Sequence, residues 1–136
     1  MPANKPATKP LDLLNDRERK FLKAVADFCR AQVDPDCEQW EREESLPREI
    51  FSAAGKLGLM GMLAPQQFGG LGLSFIAYIA ALREVAGHYA SLALNLATHN
   101  SLCIGQILTF GSSAQKRRGL LRYLSARRCL HCKWVQ

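Results

Sequence analysis

At 136 residues and 48% apolar, the chain has an ordinary globular composition and is long enough for one domain that buries about two-thirds of its unfolded surface. Its formal charge of +6 points to an anionic partner only until it is divided along the chain: residues 1–45 carry eight basic and ten acidic groups, residues 46–110 three and two, residues 111–136 seven and none. The excess belongs to the last segment, so the basic balance says nothing about the domain that precedes it.

The N-terminal MPANKPATKP has proline at 2, 6 and 10, no arginine and no apolar h-region. Residues 1–11 read as a disordered leader, not a signal or transit peptide, and a cytoplasmic location is expected. Five cysteines, at 29, 37, 103, 129 and 132, form no regular framework and are expected as free thiols in a reducing compartment.

The first helix opens on Asn15 and Glu18, a capping-box pair, and carries Phe21, Leu22, Val25, Phe28, Cys29 and Val33 at helical spacing. It is expected over Asp16–Val33, ended by Asp34-Pro35. Asp36 is the expected cap of a short acidic helix around Trp40, whose acidic cluster reads as a solvated face. Pro47 and Gly58 bracket a third helix with Ile50, Phe51, Ala54 and Leu57 inward. Glycines at 58, 61, 69, 70 and 72 then mark a loop. It matches neither GxGxxG nor GxxxxGKS and reads as a turn between helices, not a phosphate cradle. Ser74 caps a helix carrying Phe75, Ile76, Ile79, Leu82, Val85 and Ala86, stopped by Gly87-His88.

The next stretch, Ala90–Phe110, organises the rest. No Asp, Glu, Lys or Arg occurs between Glu84 and Lys116. A surface helix has one apolar stripe and one charged face, so this one is expected to be central and buried, ending at Gly111 as a C′ residue. Asn95, Thr98, His99, Asn100, Ser101 and Gln106 argue against a membrane span of similar length. His99 has no acidic neighbour in sequence to orient it and reads as a structural group; Asn100 and Ser101 are expected to bond neighbouring helices or loops. Ser112 and Gln115 repeat the capping box and start a last helix through Lys116 and Arg118. No run alternates as a strand does. The expected fold is all-α, a bundle of five or six helices around Ala90–Phe110.

Residues 12–118 resemble the N-terminal helical domain of the acyl-CoA dehydrogenase family, most specifically in PQQFGGLG (Pro65–Gly72), HNSL (His99–Leu102) and FGSSAQK from Phe110. The resemblance implies an FAD-dependent oxidoreductase that introduces an α,β double bond into an acyl-CoA thioester, usually as a homo-oligomer. It also implies an acyl-pocket wall at Leu94, Thr98 and Leu102, which are four residues apart on one helical face. Bundle packing is the alternative role for the same three residues. The family's flavin-contacting β-domain and catalytic glutamate have no counterpart in this chain, so no catalytic, cofactor-binding or metal residue is assigned. FAD is expected in the full-length family and not on this chain alone.

Residues 119–136 depart from the family pattern in a basic tail. They suggest a truncated or out-of-frame ending and a catalytically inactive chain. Two further readings remain: a stand-alone helical interaction module, and nucleic-acid contact through Lys116, Arg117, Arg118 and the tail. Cys129, His131 and Cys132 spell one CxxC without the second ligand pair of a structural zinc site.

Overall fold

A computed structural model describes residues 10–124. Among them there is helix and turn and no strand. After a 3-10 turn (Pro10–Leu13) come α1 (Asp16–Gln32), α2 (Cys37–Arg42) and α3 (Arg48–Leu57). The glycine-rich loop holds two 3-10 turns, Leu59–Gly61 and Gln66–Phe68. Then follow α4 (Phe75–His88), α5 (Ala90–Thr98), a π segment (His99–Ile104), α6 (Gly105–Phe110) and α7 (Ser113–Leu124). α5, the π segment and α6 run on without a break and form the single rod expected over Ala90–Phe110; counted as one, it brings the helices to six.

The caps are mostly those the sequence announces. Asn15 accepts from Glu18 N–H at 2.9 Å while the Glu18 carboxylate accepts from Asn15 N–H at 3.1 Å. The Ser74 hydroxyl accepts from Ala77 N–H, and Ser112 and Gln115 bond each other's backbone amides. Gly58 ends α3 at φ +94°, the left-handed region that favours glycine.

Two caps differ. Asp36 makes no side-chain cap bond, because the backbone already satisfies the start of α2: Asp36 and Cys37 N–H both donate to Val33 O. Gly111 is extended rather than left-handed. Glycine is needed there for space, since a Cβ would lie 2.5 Å from Ile107 O.

Two cores hold the helices together. The larger gathers Val25, Phe28 and Cys29 from α1, Ile50, Phe51 and Ala54 from α3, Ala77, Ala81 and Val85 from α4, and Leu92 and Leu96 from α5. Trp40 closes one end, edge-to-face with Tyr89 at 5.8 Å. The smaller core is Ala64, Ile104 and Leu120, flanked by Ile107 and Tyr123. Leu120 is fully buried, and α7 runs through Lys116 and Arg118, as expected, and on to Leu124.

The rod is not buried on every side. α4, the Leu59–Gly61 turn and α7 lie against it and leave one side open. On that side Leu94 and Leu102 are each 65% exposed, and at the end of the rod Phe110 is 78% exposed. The lack of charge therefore marks an apolar outer face as well as a buried inner one.

Candidate functional site

The open face of the rod contains the three residues singled out from sequence. Leu94 and Leu102 stand out from the surface with Thr98, half-buried, between them. The polar side chains around them are turned back onto their own helix. Thr98 Oγ1 donates to Asn95 O at 3.0 Å, Asn95 Nδ2 to Ser91 O at 2.8 Å, and Ser101 Oγ to Ala97 O at 2.7 Å. Side-chain to backbone bonds of this kind consume donors that would otherwise face outward. What the face offers is hydrocarbon, suited to an apolar chain and not to a polar head group. Ser101 thus bonds within the rod and also reaches the Tyr78 hydroxyl on α4, the neighbouring helix.

Behind this face the π segment is fixed from inside. Asn100 is buried; its Nδ2 donates to Leu59 O at 2.8 Å and Leu96 O at 2.9 Å, and its Oδ1 accepts from Met62 N–H at 3.0 Å. This is the expected bond to a neighbouring loop, and it ties the rod to the glycine-rich loop. His99 is buried as well, its ring edge-to-face with Tyr123 at 6.4 Å, and its Nε2 has no hydrogen-bond partner. Burial holds the imidazole below its ordinary range, outweighing the opposing pull of the Tyr123 and Met60 backbone. The ring is enclosed in protein, where burial favours its neutral form.

The glycine-rich loop spends the amides of its last five residues on its own carbonyls. The N–H groups of Gly69, Gly70, Leu71, Gly72 and Leu73 donate to the carbonyls of Gln66, Pro65, Gly61, Ala64 and Met62. At Gly70 an added Cβ would meet Ala64 O, so the glycine serves the loop's own close packing. Neither this loop nor the outer face of the rod presents a row of free amides among the described residues. The described residues include no cluster of three or more His, Cys, Asp or Glu able to hold a metal, and no helix long and apolar enough to cross a membrane. Cys129, His131 and Cys132 lie outside the described residues, as does most of the basic tail.

Sequence reasoning missed two features. The first is an open groove of about 640 Å³ between α6 and α7, lined by Gln106, Ile107, Phe110, Ala114, Arg118 and Tyr123 among others. The second is Glu18, whose carboxylate also accepts from Ser74 N–H at 2.9 Å and ties the start of α1 to the start of α4. The Ser74 backbone, more than any other neighbour, pulls its carboxyl below the usual range. The capping-box pattern identified Glu18, but no local signal pairs it with a residue 56 positions away.

The model of the acyl-CoA dehydrogenase N-terminal domain matches residues 15–127. The mitochondrial isovaleryl-CoA dehydrogenase of Arabidopsis thaliana is 30% identical over 115 residues, covering 83% of this chain and 28% of that protein. An acyl-CoA dehydrogenase of Bacillus subtilis is 35% identical over 96 residues, covering 71% and 25%. Among solved structures, a glutaryl-CoA dehydrogenase from Mycobacterium smegmatis superposes with a TM-score of 0.79 at 28% identity over 87% of this chain and 30% of that one. A second structure of a glutaryl-CoA dehydrogenase from this organism is a complex with FADH2. The chain spans 28% of the length of the Arabidopsis relative. Its helices, its loop and its uncharged rod are those of the N-terminal domain, and the chain belongs to the acyl-CoA dehydrogenase family.

Proposed function

We propose that this chain forms one wall of the acyl pocket in an FAD-dependent acyl-CoA dehydrogenase, with Leu94, Thr98 and Leu102 as the surface against which the acyl chain lies. The observation that carries the reading is the exposed, charge-free face of the rod, whose neighbouring hydroxyl and amide groups bond inward. Such a face binds by excluding water. Each acyl methylene it covers contributes about 0.8 kcal/mol, so the wall discriminates by chain length. The chain's own part is to bind and orient; proton abstraction and hydride acceptance belong to groups the described residues do not provide. An acyl-CoA thioester is the substrate, and a homo-oligomer the assembly, in this proposal.

The test is a chimera in which residues 15–124 replace the matching segment of the Bacillus subtilis relative. A flavin-loaded chimera is expected to reduce its flavin on adding acyl-CoA. Leu94→Trp or Leu102→Trp, which narrow the pocket, are expected to shift its preference toward shorter thioesters. An unchanged chain-length profile in a chimera that binds flavin would overturn the wall.

A second exposed pair, Phe75 and Ile79 one turn apart on α4, favours the interaction-module reading as an additional role. Sedimentation of the purified chain tests it. Association lost in Phe75→Ser supports it, and a monomer at all concentrations removes it.

A further inference from the structure

The rod has an inner stripe, Leu92, Leu96, Asn100 and Ile104, every member buried, and an outer one, Leu94, Thr98 and Leu102, whose two leucines are equally exposed. Both stripes repeat every four residues. In a regular α-helix of 3.6 residues per turn, a step of four overshoots a full turn by roughly 40°, so two steps separate Leu94 from Leu102 by about 80° and three separate Leu92 from Ile104 by about 120°. Drift of that size would turn Leu102 about a quarter-turn away from Leu94.

The winding changes along the rod. Within His99–Ile104 the bonds reach the fifth residue, as in Gly105 N–H to Asn100 O. A turn that uses more than four residues makes a step of four fall short of the circle, so the π segment takes back what α5 overshoots. Asn100 stands where the winding changes. It holds Leu96 O on its own helix, and it holds Leu59 O and Met62 N–H on the turn against which the rod packs.

We infer that Asn100 is a positioning residue for the acyl wall: by fixing the π segment against the Leu59–Met62 backbone it keeps Leu94 and Leu102 in line. The inference rests on the wall reading, and it is tested by two readouts that fail separately. The first is NMR of the 136-residue chain, following the scalar coupling across the hydrogen bond from Asn100 carbonyl to Gly105 N. That coupling is expected in the native chain. In Asn100→Leu it is expected to give way to a coupling from Ser101 carbonyl to Gly105 N, the α-helical register. Absence of the first coupling from the native chain, or its persistence in Asn100→Leu, overturns the inference. If Asn100→Leu does not fold, Asn100→Asp is read in the same way, since it keeps the acceptor for Met62 N–H and loses both donated bonds.

The second readout is the chain-length profile of the flavin-loaded chimera. Asn100→Leu is expected to change the ratio of kcat/KM between short and longer thioesters by roughly ten-fold, the low end of what one methylene contact discriminates, through KM and not kcat. A profile moved by Leu94→Trp and untouched by Asn100→Leu overturns the positioning role and leaves the wall standing. A profile that neither moves overturns both.

Discussion

Leu92 and Leu96, on the inner side of the rod, are wholly buried, while Leu94 and Leu102, on the same uncharged rod, stand two-thirds exposed. The residue type is the same; the neighbours differ. The inner leucines lie on α5, which packs against α4, and the outer ones meet no described element closely enough to be covered. Composition therefore reports that a surface is meant to be covered, and says nothing about whether the cover is part of the same chain.

The sharpest way to break this comparison is to truncate both sides alike. Leu96→Ala should cost about 2–5 kcal/mol, because a fully buried leucine leaves a cavity behind. Leu94→Ala should stay within about 0.5 kcal/mol, the range of ordinary surface changes. Urea unfolding followed by Trp40 fluorescence measures both. Equal losses would mean that the two sides are packed equally.

Much of this fold is legible without coordinates because its signals are local. The capping pairs Asn15–Glu18 and Ser112–Gln115 and the Ser74 cap each need only three or four residues to be read, and each forms as read. What is not legible is set by distant partners. The bond from Ser74 N–H to Glu18, the hold of Asn100 on Leu59 and Met62, and the groove between α6 and α7 all join residues whose meeting no periodicity encodes. The candidate wall lies between these cases. That Leu94, Thr98 and Leu102 share a side follows from their spacing, but that the side faces outward depends on what packs behind it.

A second test moves to the polar member of the inner stripe. Asn100→Ala orphans Met62 N–H and Leu59 O, each buried and each costing roughly 1–3 kcal/mol when left without a partner. We expect a loss of about 2–4 kcal/mol by urea unfolding, below the worst core truncations and far above any change on the outer face. A loss under 1 kcal/mol would mean that water or a shifted backbone takes over the clamp.

Acid also separates the two sides, because the outer stripe has nothing to titrate. Burial lowers the folded-state pKa of His99 below its usual 6.5, so the unfolded chain binds more protons as the pH falls. Its contribution is complete above that value and is lost as pH drops from about 6.5 toward the folded pKa. Glu18 also has a lowered pKa, and its stabilisation is present above 4.5 and is lost as pH falls below it. Stability should therefore decline in two stages. His99→Gln should remove the upper stage and Glu18→Gln the lower, at a cost near neutral pH of about 1–3 kcal/mol for the lost charge-assisted bonds. A profile that is flat between pH 6.5 and 5 would show that His99 is not held neutral by burial.

The smallest effect on stability is expected where the functional effect is largest. Leu94→Ser with Leu102→Ser removes two exposed apolar side chains that few neighbours touch, and unfolding should move by no more than about 0.5 kcal/mol for each change. The same double change should reduce binding of an apolar dye, since it breaks up the exposed patch. If the dye signal persists, the remaining exposed apolar surface among the described residues is Leu13, Phe110 at the α6–α7 groove or the Phe75–Ile79 pair on α4, and the matching single changes tell them apart. If stability instead falls as far as it does for Leu96→Ala, the outer leucines are core residues, and a wall offered to an acyl chain has no place on this rod.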